Sequence, residues 1–208
     1  MKIFSNSFNN GDAIPSRYCF ASIDPDTHVA LAENINPHLI WSEFPAGTKS
    51  FALICHDPDA PSVADDANQE GRTIPASLPR ADFFHWVLFN IPASVTEIAE
   101  GSHCSGVTPK GKSGPDAPGG MSHGINSYTQ WFAGDADMEG NYFGYDGPCP
   151  PWNDEIPHHY VFSIYALDVE SIEAEPGVDG ETLYEELEIH ILDGAAITGT
   201  YTLNPSVA

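Results

Sequence analysis

Four side chains able to donate, accept or carry a proton stand at the ends of three apolar runs: Asp57, His85, His158 and Tyr160. Side chains of an extended strand alternate faces with a period of two. Phe51, Leu53, Cys55 and Asp57 then share a face, so an apolar stripe ends in a carboxylate. His85, Val87 and Phe89 share a face, with an imidazole at its head. His158, Tyr160, Phe162 and Ile164 share a third, in which two polar groups lead into core residues. One cavity at the ends of neighbouring strands accounts for all three patterns. A neutral imidazole donates through one nitrogen, a charged one through both, and a phenol adds a hydroxyl. Such donors suit the oxygens of a small anion, for instance a phosphate head group. Asp57 repels an anion unless it has another task. It is expected to orient His85 and keep it protonated, to face an ammonium group such as ethanolamine, or to cap the turn at Pro58–Pro61. Taken singly, His85, His158 and Tyr160 also read as core residues with satisfied polar atoms. His28, His38, His56, His103, His123 and His190 show no joint spacing and read as surface or packing residues.

Stepwise along the chain, Lys49–His56, residues 83–91 and Tyr160–Asp168 are the strong strands, with further strands at Arg17–Ala21 and Ala195–Leu203. Ser127–Phe132 reads as a strand or a structured loop, and residues 101–127 as a glycine-rich loop. That loop lacks the spacings of a phosphate-cradling motif. The one clear helix is C-terminal: Asp179 as N-cap, apolar Leu183, Leu187 and Ile191 at intervals of four, and Gly194 as its stop. Strands do not alternate with helices, so a parallel α/β sheet is not expected. The expectation is a mainly β chain, an antiparallel β-sandwich with peripheral helices including a C-terminal helix, forming a single domain over residues 1–208. A long polar connection at about residues 62–82 is inserted between two central strands, as a lid, a surface excursion or a dimer contact.

Three segments also carry a likeness to a known family: Asp57-Pro-Asp-Ala-Pro61, His85-Trp-Val-Leu-Phe-Asn90, and Gly147-Pro-Cys-Pro-Pro151 leading to His158-His-Tyr160. In this order, each beside a strand, they resemble the signature regions of the phosphatidylethanolamine-binding protein (PEBP) family, also called Raf kinase inhibitor-like proteins, in its prokaryotic branch. The likeness runs from about Ser5 to Tyr201. It implies the PEBP-like sandwich and a non-enzymatic protein with a small pocket for anions and phospholipid head groups. It also implies a regulatory partner of the kinase or protease kind, and a homodimer. The matching positions for ligand binding are Asp57, Asp59, His85, Pro151, His158 and Tyr160. Pro150 and Pro151 supply a rigid wall with no backbone donor. His159 stands where many relatives carry Arg, which removes a fixed positive charge. No cofactor is expected. The alternative is a hydrolase, metal-dependent or acid–base, using the same His and Asp residues. The chain lacks H-E-x-x-H, H-x-E…C-x-x-C and G-x-S-x-G patterns. A third alternative is assembly or adhesion without a ligand.

Seven Lys and Arg face 30 Asp and Glu over 208 residues, a net charge of −23. Lys112 is the last basic residue. Such a surface repels nucleic acid and anionic membranes and suits a saline medium. The four cysteines form no C-x-x-C pair and are expected as reduced thiols. No apolar leader opens the sequence and no run is long enough to span a membrane, so a cytoplasmic protein is expected.

Overall fold

The computed structural model describes residues 1–208. Ten strands form in chain order: β1 (Lys2–Phe4), β2 (Ala21–Asp24), β3 (His28–Leu31), β4 (Leu39–Ser42), β5 (Ser50–Pro61), β6 (Arg80–Pro92), β7 (Glu97–Ile98), β8 (Ser122–His123), β9 (His158–Leu167) and β10 (Ile191–Tyr201). Two helices join them, α1 (Tyr128–Trp131) and α2 (Gly180–Glu188). A five-stranded sheet of order β10-β9-β5-β6-β8 faces a three-stranded sheet of order β1-β4-β7, and β2-β3 form a separate hairpin. Every pairing between these strands is antiparallel. The chain is therefore the mainly β sandwich that its pattern predicts.

The larger core lies between the two sheets. Phe51, Leu53 and Cys55 of β5 meet Trp86 and Leu88 of β6, Phe162 and Ile164 of β9, and Leu39 and Trp41 of β4. Truncating a buried aromatic of this kind to Ala costs roughly 3–5 kcal/mol. The other face of the large sheet is covered by α2, whose Leu183 and Leu187 pack on Ile54, Val87 and Phe89. Asp179 caps α2 as expected, accepting from the Thr182 N–H at 2.8 Å.

Strand pairing overrode several local patterns. The helix ends at Glu188 rather than 192, because Ile191 already pairs with Leu167 in β10, and Gly194 lies inside that strand. Ile191 is apolar for the sheet, and its helical spacing is a coincidence. Arg17–Ala21 is not a strand: Ser16–Tyr18 form one tight turn, and β2 starts only at Ala21. Ser127–Phe132 contains the short helix α1, started by Asn126, whose side-chain oxygen accepts from the Tyr128 N–H at 3.1 Å. Pro58–Pro61 is no turn, because β5 runs on through both prolines to the pair Pro61–Arg80. Proline is tolerated there because the pairing of β5 with β9 stops at His56–Val161, which leaves that side of β5 unpaired. No helix is long and apolar enough to cross a membrane.

The acidic surface sets a condition on this fold. Spread over 9613 Å² of accessible surface, 23 net negative charges leave about 420 Å² each. Neighbours about 20 Å apart still repel at a Debye length of about 10 Å, but hardly at the 3 Å of molar salt. The thermal midpoint should rise on going from 0.1 to 1 M KCl, by about 2–4 °C for each kcal/mol of repulsion relieved. A midpoint that falls or stays level by scanning calorimetry would show that repulsion does not limit stability.

Candidate functional site

The cavity opens where β9 begins and β5 and β6 run on past it. β9 supplies His158 and Tyr160, β5 supplies Asp57, and β6 supplies Phe83 and His85. Its volume is about 480 Å³, within the range of small-molecule sites. Pro150 and Pro151 line it, as do Phe20, Val29, Tyr128, Trp131 and Phe132. Ser62, Ala64, Ala67 and Asn68 line another side, so the connection after β5 is a wall of the cavity. Residues Arg80–Asp82 belong to β6, which shortens that connection to residues 62–79.

His85 reaches the cavity by an irregularity. Cys55 pairs with Trp86 and His56 with Phe84, so one residue of β6 is left over between them, and that residue is His85. Such a bulge breaks the alternation. Trp86 faces the core between the sheets and Val87 the core under α2. His85 does not share a face with Val87 and Phe89, as strict alternation predicts. It lies with Trp86 and packs edge-on against Tyr160, ring centres 5.1 Å apart.

Two polar networks fix the floor. In the first, His158 Nδ1 lies 2.7 Å from Asp57 Oδ2 and Nε2 lies 3.1 Å from Asp154 Oδ2. Arg80 grips Asp154 with both amino groups, at 2.6 and 3.1 Å, and donates to the Asp59 carbonyl at 2.9 Å. Asp57 Oδ1 accepts from the Asp59 N–H at 2.7 Å. Burial disfavours the imidazolium of His158, yet its bonds to Asp154 and Asp57 outweigh burial and raise its pKa to about 9. The chain Arg80–Asp154–His158–Asp57 thus alternates two cations with two carboxylates. Asp57 pairs with His158 and not with His85. His158 lines the cavity, but neither of its nitrogens is left to donate to a ligand.

The second network holds His85. Its Nδ1 is 2.8 Å from the Asp146 carbonyl, which can only accept, so Nδ1 carries the proton. The Asp146 N–H returns a bond to the His85 carbonyl at 3.0 Å. The Asp146 carboxylate, buried, accepts from Asn34 (2.8 Å), Asn126 (2.9 Å) and Lys112 (2.8 Å). Burial lowers the His85 pKa to about 4, against the opposing pull of Asp57. His85 is therefore neutral near pH 7, the reverse of the protonated state expected from the sequence, and its Nε2 is an acceptor with no protein partner. Beside it the Tyr160 hydroxyl is buried and unpartnered.

Asp59 stands apart from the cavity lining. Its carboxylate turns to the exposed His159, 2.7 Å from Nδ1. No three His, Cys, Asp or Glu side chains are grouped so as to hold a metal ion.

Comparison with known proteins fits this architecture. The family model described as phosphatidylethanolamine-binding protein matches residues 4–202. The chain belongs to the phosphatidylethanolamine-binding protein family. UPF0098 protein YbhB of Escherichia coli K12 is 30% identical over 202 residues, covering 97% of this chain and 100% of that protein. A UPF0098 protein of Aquifex aeolicus is 32% identical over 203 residues, covering 97% and 88%. The crystal structure of Escherichia coli YbcL, described as a new member of the mammalian PEBP family, superposes with a TM-score of 0.70 at 28% identity, covering 97% of each chain.

Sequence reasoning missed Arg80, Asp154 and Asp146 in this PEBP chain. A signal for Arg80 was available: it is one of only seven basic residues and stands at the edge of an apolar strand. Nothing marked Asp146 or Asp154 among 30 acidic residues.

The networks give stability a pH window. The folded pKa of His158 is above its ordinary 6.5, so its contribution is complete below about 6.5 and is lost as pH rises through about 9. His85, His103 and His123 are lowered by burial to about 4, 4 and 3, so their contributions are present above 6.5 and fade as pH falls below it. Urea titrations at fixed high salt should therefore show greatest stability near pH 7, falling on either side. His158→Gln should flatten the alkaline limb, and a limb unchanged in that variant would assign it elsewhere.

A second expectation concerns the wall. Asn153 donates to the carbonyls of Asp66 (2.8 Å) and Arg72 (3.1 Å) and accepts from the Asn68 N–H (2.9 Å). Removing one partner from such a set costs about 1–3 kcal/mol. Asn153→Ala should speed tryptic cleavage after the exposed Arg72 about tenfold or more; equal rates would mean that other contacts hold the segment.

Proposed function

We propose that this PEBP chain is a non-enzymatic binding protein that takes a small anion or phospholipid head group between Tyr160 and His85. One observation carries the reading: the Tyr160 hydroxyl is buried in the cavity wall without a partner. An unmet buried polar group costs about 1–3 kcal/mol, and a ligand oxygen accepting from it relieves that loss. His85 Nε2 is the second open position. Because it bears no proton near pH 7, an anion there needs a proton, either carried by the ligand or taken up by His85. The acid–base hydrolase reading has less support, because both nitrogens of His158 are already bonded to carboxylates. Asp57 and His158 act in this reading as the rigid polar base beneath the ligand, Pro151 as its wall, and Asp59 as a rim residue that fixes His159.

The test uses sulfate, phosphate and phosphoethanolamine in calorimetry and thermal-shift titrations. A ligand that prefers the folded state raises the midpoint. Sulfate keeps its charge across pH 5.5–8, so its affinity should rise as pH falls, with about one proton taken up at His85. His85→Gln should abolish that slope. Tyr160→Phe should leave the unliganded protein as stable or more so, because it removes an unmet hydroxyl, and should lose most of the ligand-induced shift. Ligand shifts that survive both substitutions would overturn the assignment.

A further inference from the structure

Two histidines that the cavity does not use meet elsewhere in the fold. His103 lies in the glycine-rich loop, and His123 lies in β8, opposite Leu88 of β6. Their ring centres are 5.5 Å apart and the rings cross at 70°. His103 also packs on the fully buried Trp86, ring centres 5.5 Å apart. None of the three lines the cavity at Tyr160 and His85. Nε2 of each imidazole is buried and has no partner in the protein. At His103 the bonding fixes the tautomer. Ser102 donates its hydroxyl proton to the Ala99 carbonyl at 2.7 Å, so its oxygen accepts from His103 Nδ1–H at 2.9 Å. Nε2 of His103 therefore holds a free lone pair. A histidine that binds metal is commonly oriented in this way, through a bond from its other nitrogen. Gly144 packs its backbone on the His123 ring, where a Cβ would come within 3.1 Å. Burial lowers the pKa of His103 to about 4 and that of His123 to about 3, so both rings are neutral near pH 7, the form that ligates metals.

The surroundings narrow the choice of ion. Six of the nine histidines face a carboxylate oxygen, and His103 and His123 are not among them. The fixed charge acting on His123 is the Lys112 cation. A dication here would be buried without a counter-charge, and zinc usually takes four ligands. Cu+ has a filled d shell, carries one charge and accepts two neutral nitrogens. Imidazole nitrogen binds such metals at about 2 Å, and rings centred 5.5 Å apart lie within reach of one ion. We propose that His103 and His123 form a two-coordinate site for a monovalent copper ion, each binding through Nε2, at the β6–β8 edge of the large sheet. The net charge of −23 concentrates cations around the chain and supplies the site. The site is independent of the anion reading at Tyr160 and His85.

The probes are Cu+ under anaerobic reducing conditions and Ag+ as its redox-inert stand-in, with the full chain in chloride-free salt. Competition with a chromophoric Cu+ chelator should show a single tight site, and Cu+ should raise the thermal midpoint. X-ray absorption at copper should show two nitrogen neighbours and no sulfur. His123→Leu and His103→Gln should each weaken Cu+ binding by about a hundredfold or more, beyond the usual effect of losing an outer partner. The double variant should lose little more than either single one, because two ligands of one ion act as a unit. Cys149→Ser, which removes the partly exposed thiol, should bind Cu+ as the unaltered chain does. Ag+ should move the NMR nitrogen resonances of Nε2 in His103 and His123 and of no other histidine. Those shifts are read on the unaltered chain, so the result does not depend on the variants folding. A sulfur neighbour, or affinity unchanged in both histidine variants, would overturn the site. Zn2+ held more tightly than Cu+ by these two nitrogens would overturn the choice of a monovalent ion. Resonances that stay fixed with either ion would mean that water alone meets the pair.

Discussion

The site rests on a row of four charges, the largely enclosed Arg80 and the buried Asp154, His158 and Asp57, each bonded to the next. Alternation of sign is the constraint. Two carboxylates this close in a dry interior could not both ionise without cations between and beside them, and a buried cation is equally dependent on its carboxylates. The row ties the start of β9 to β5, and through Arg80 it ties the start of β6 to the segment before β9. The strand ends that form the cavity are therefore clamped by charge where the β5–β9 pairing stops.

The charges of the cavity floor are mutually satisfied and leave little net field there. The polar atoms left without a protein partner are a neutral imidazole nitrogen and a buried phenol hydroxyl. In the proposed reading, the arrangement would favour hydrogen-bond matching over simple attraction and would couple binding to proton supply. The bulge at His85 makes this possible: without the extra residue the imidazole would point beneath α2, among Val87 and Phe89, and the cavity would lose its acceptor.

Much of the architecture was legible because the central strands are strongly apolar and alternate cleanly. The β9 stripe of Tyr160, Phe162 and Ile164 lies in the core in the order its period demands. Ends of elements were less legible, since they depend on partners far away in sequence. Ile191 satisfied a helical period and still joined a strand, because Leu167 was available to pair with it. The four residues Asp57, His85, His158 and Tyr160 do come together around one cavity, but their bonding could not be read from spacing. Asp57 had two histidines to choose from, and the choice was made by Asp146, which occupies His85 through its backbone. The charge on His85 was misjudged for a different reason: burial outweighs the pull of Asp57 and keeps the imidazole neutral.

Two of the seven basic residues, Arg80 and Lys112, are largely enclosed and neutralise the buried Asp154 and Asp146. The remaining five could be exchanged for acidic or neutral residues with only surface consequences. These two could not, since each loss would strand a carboxylate in the interior. Adaptation towards an ever more negative exterior therefore meets a floor in this chain, set by how many anions the interior must keep company with.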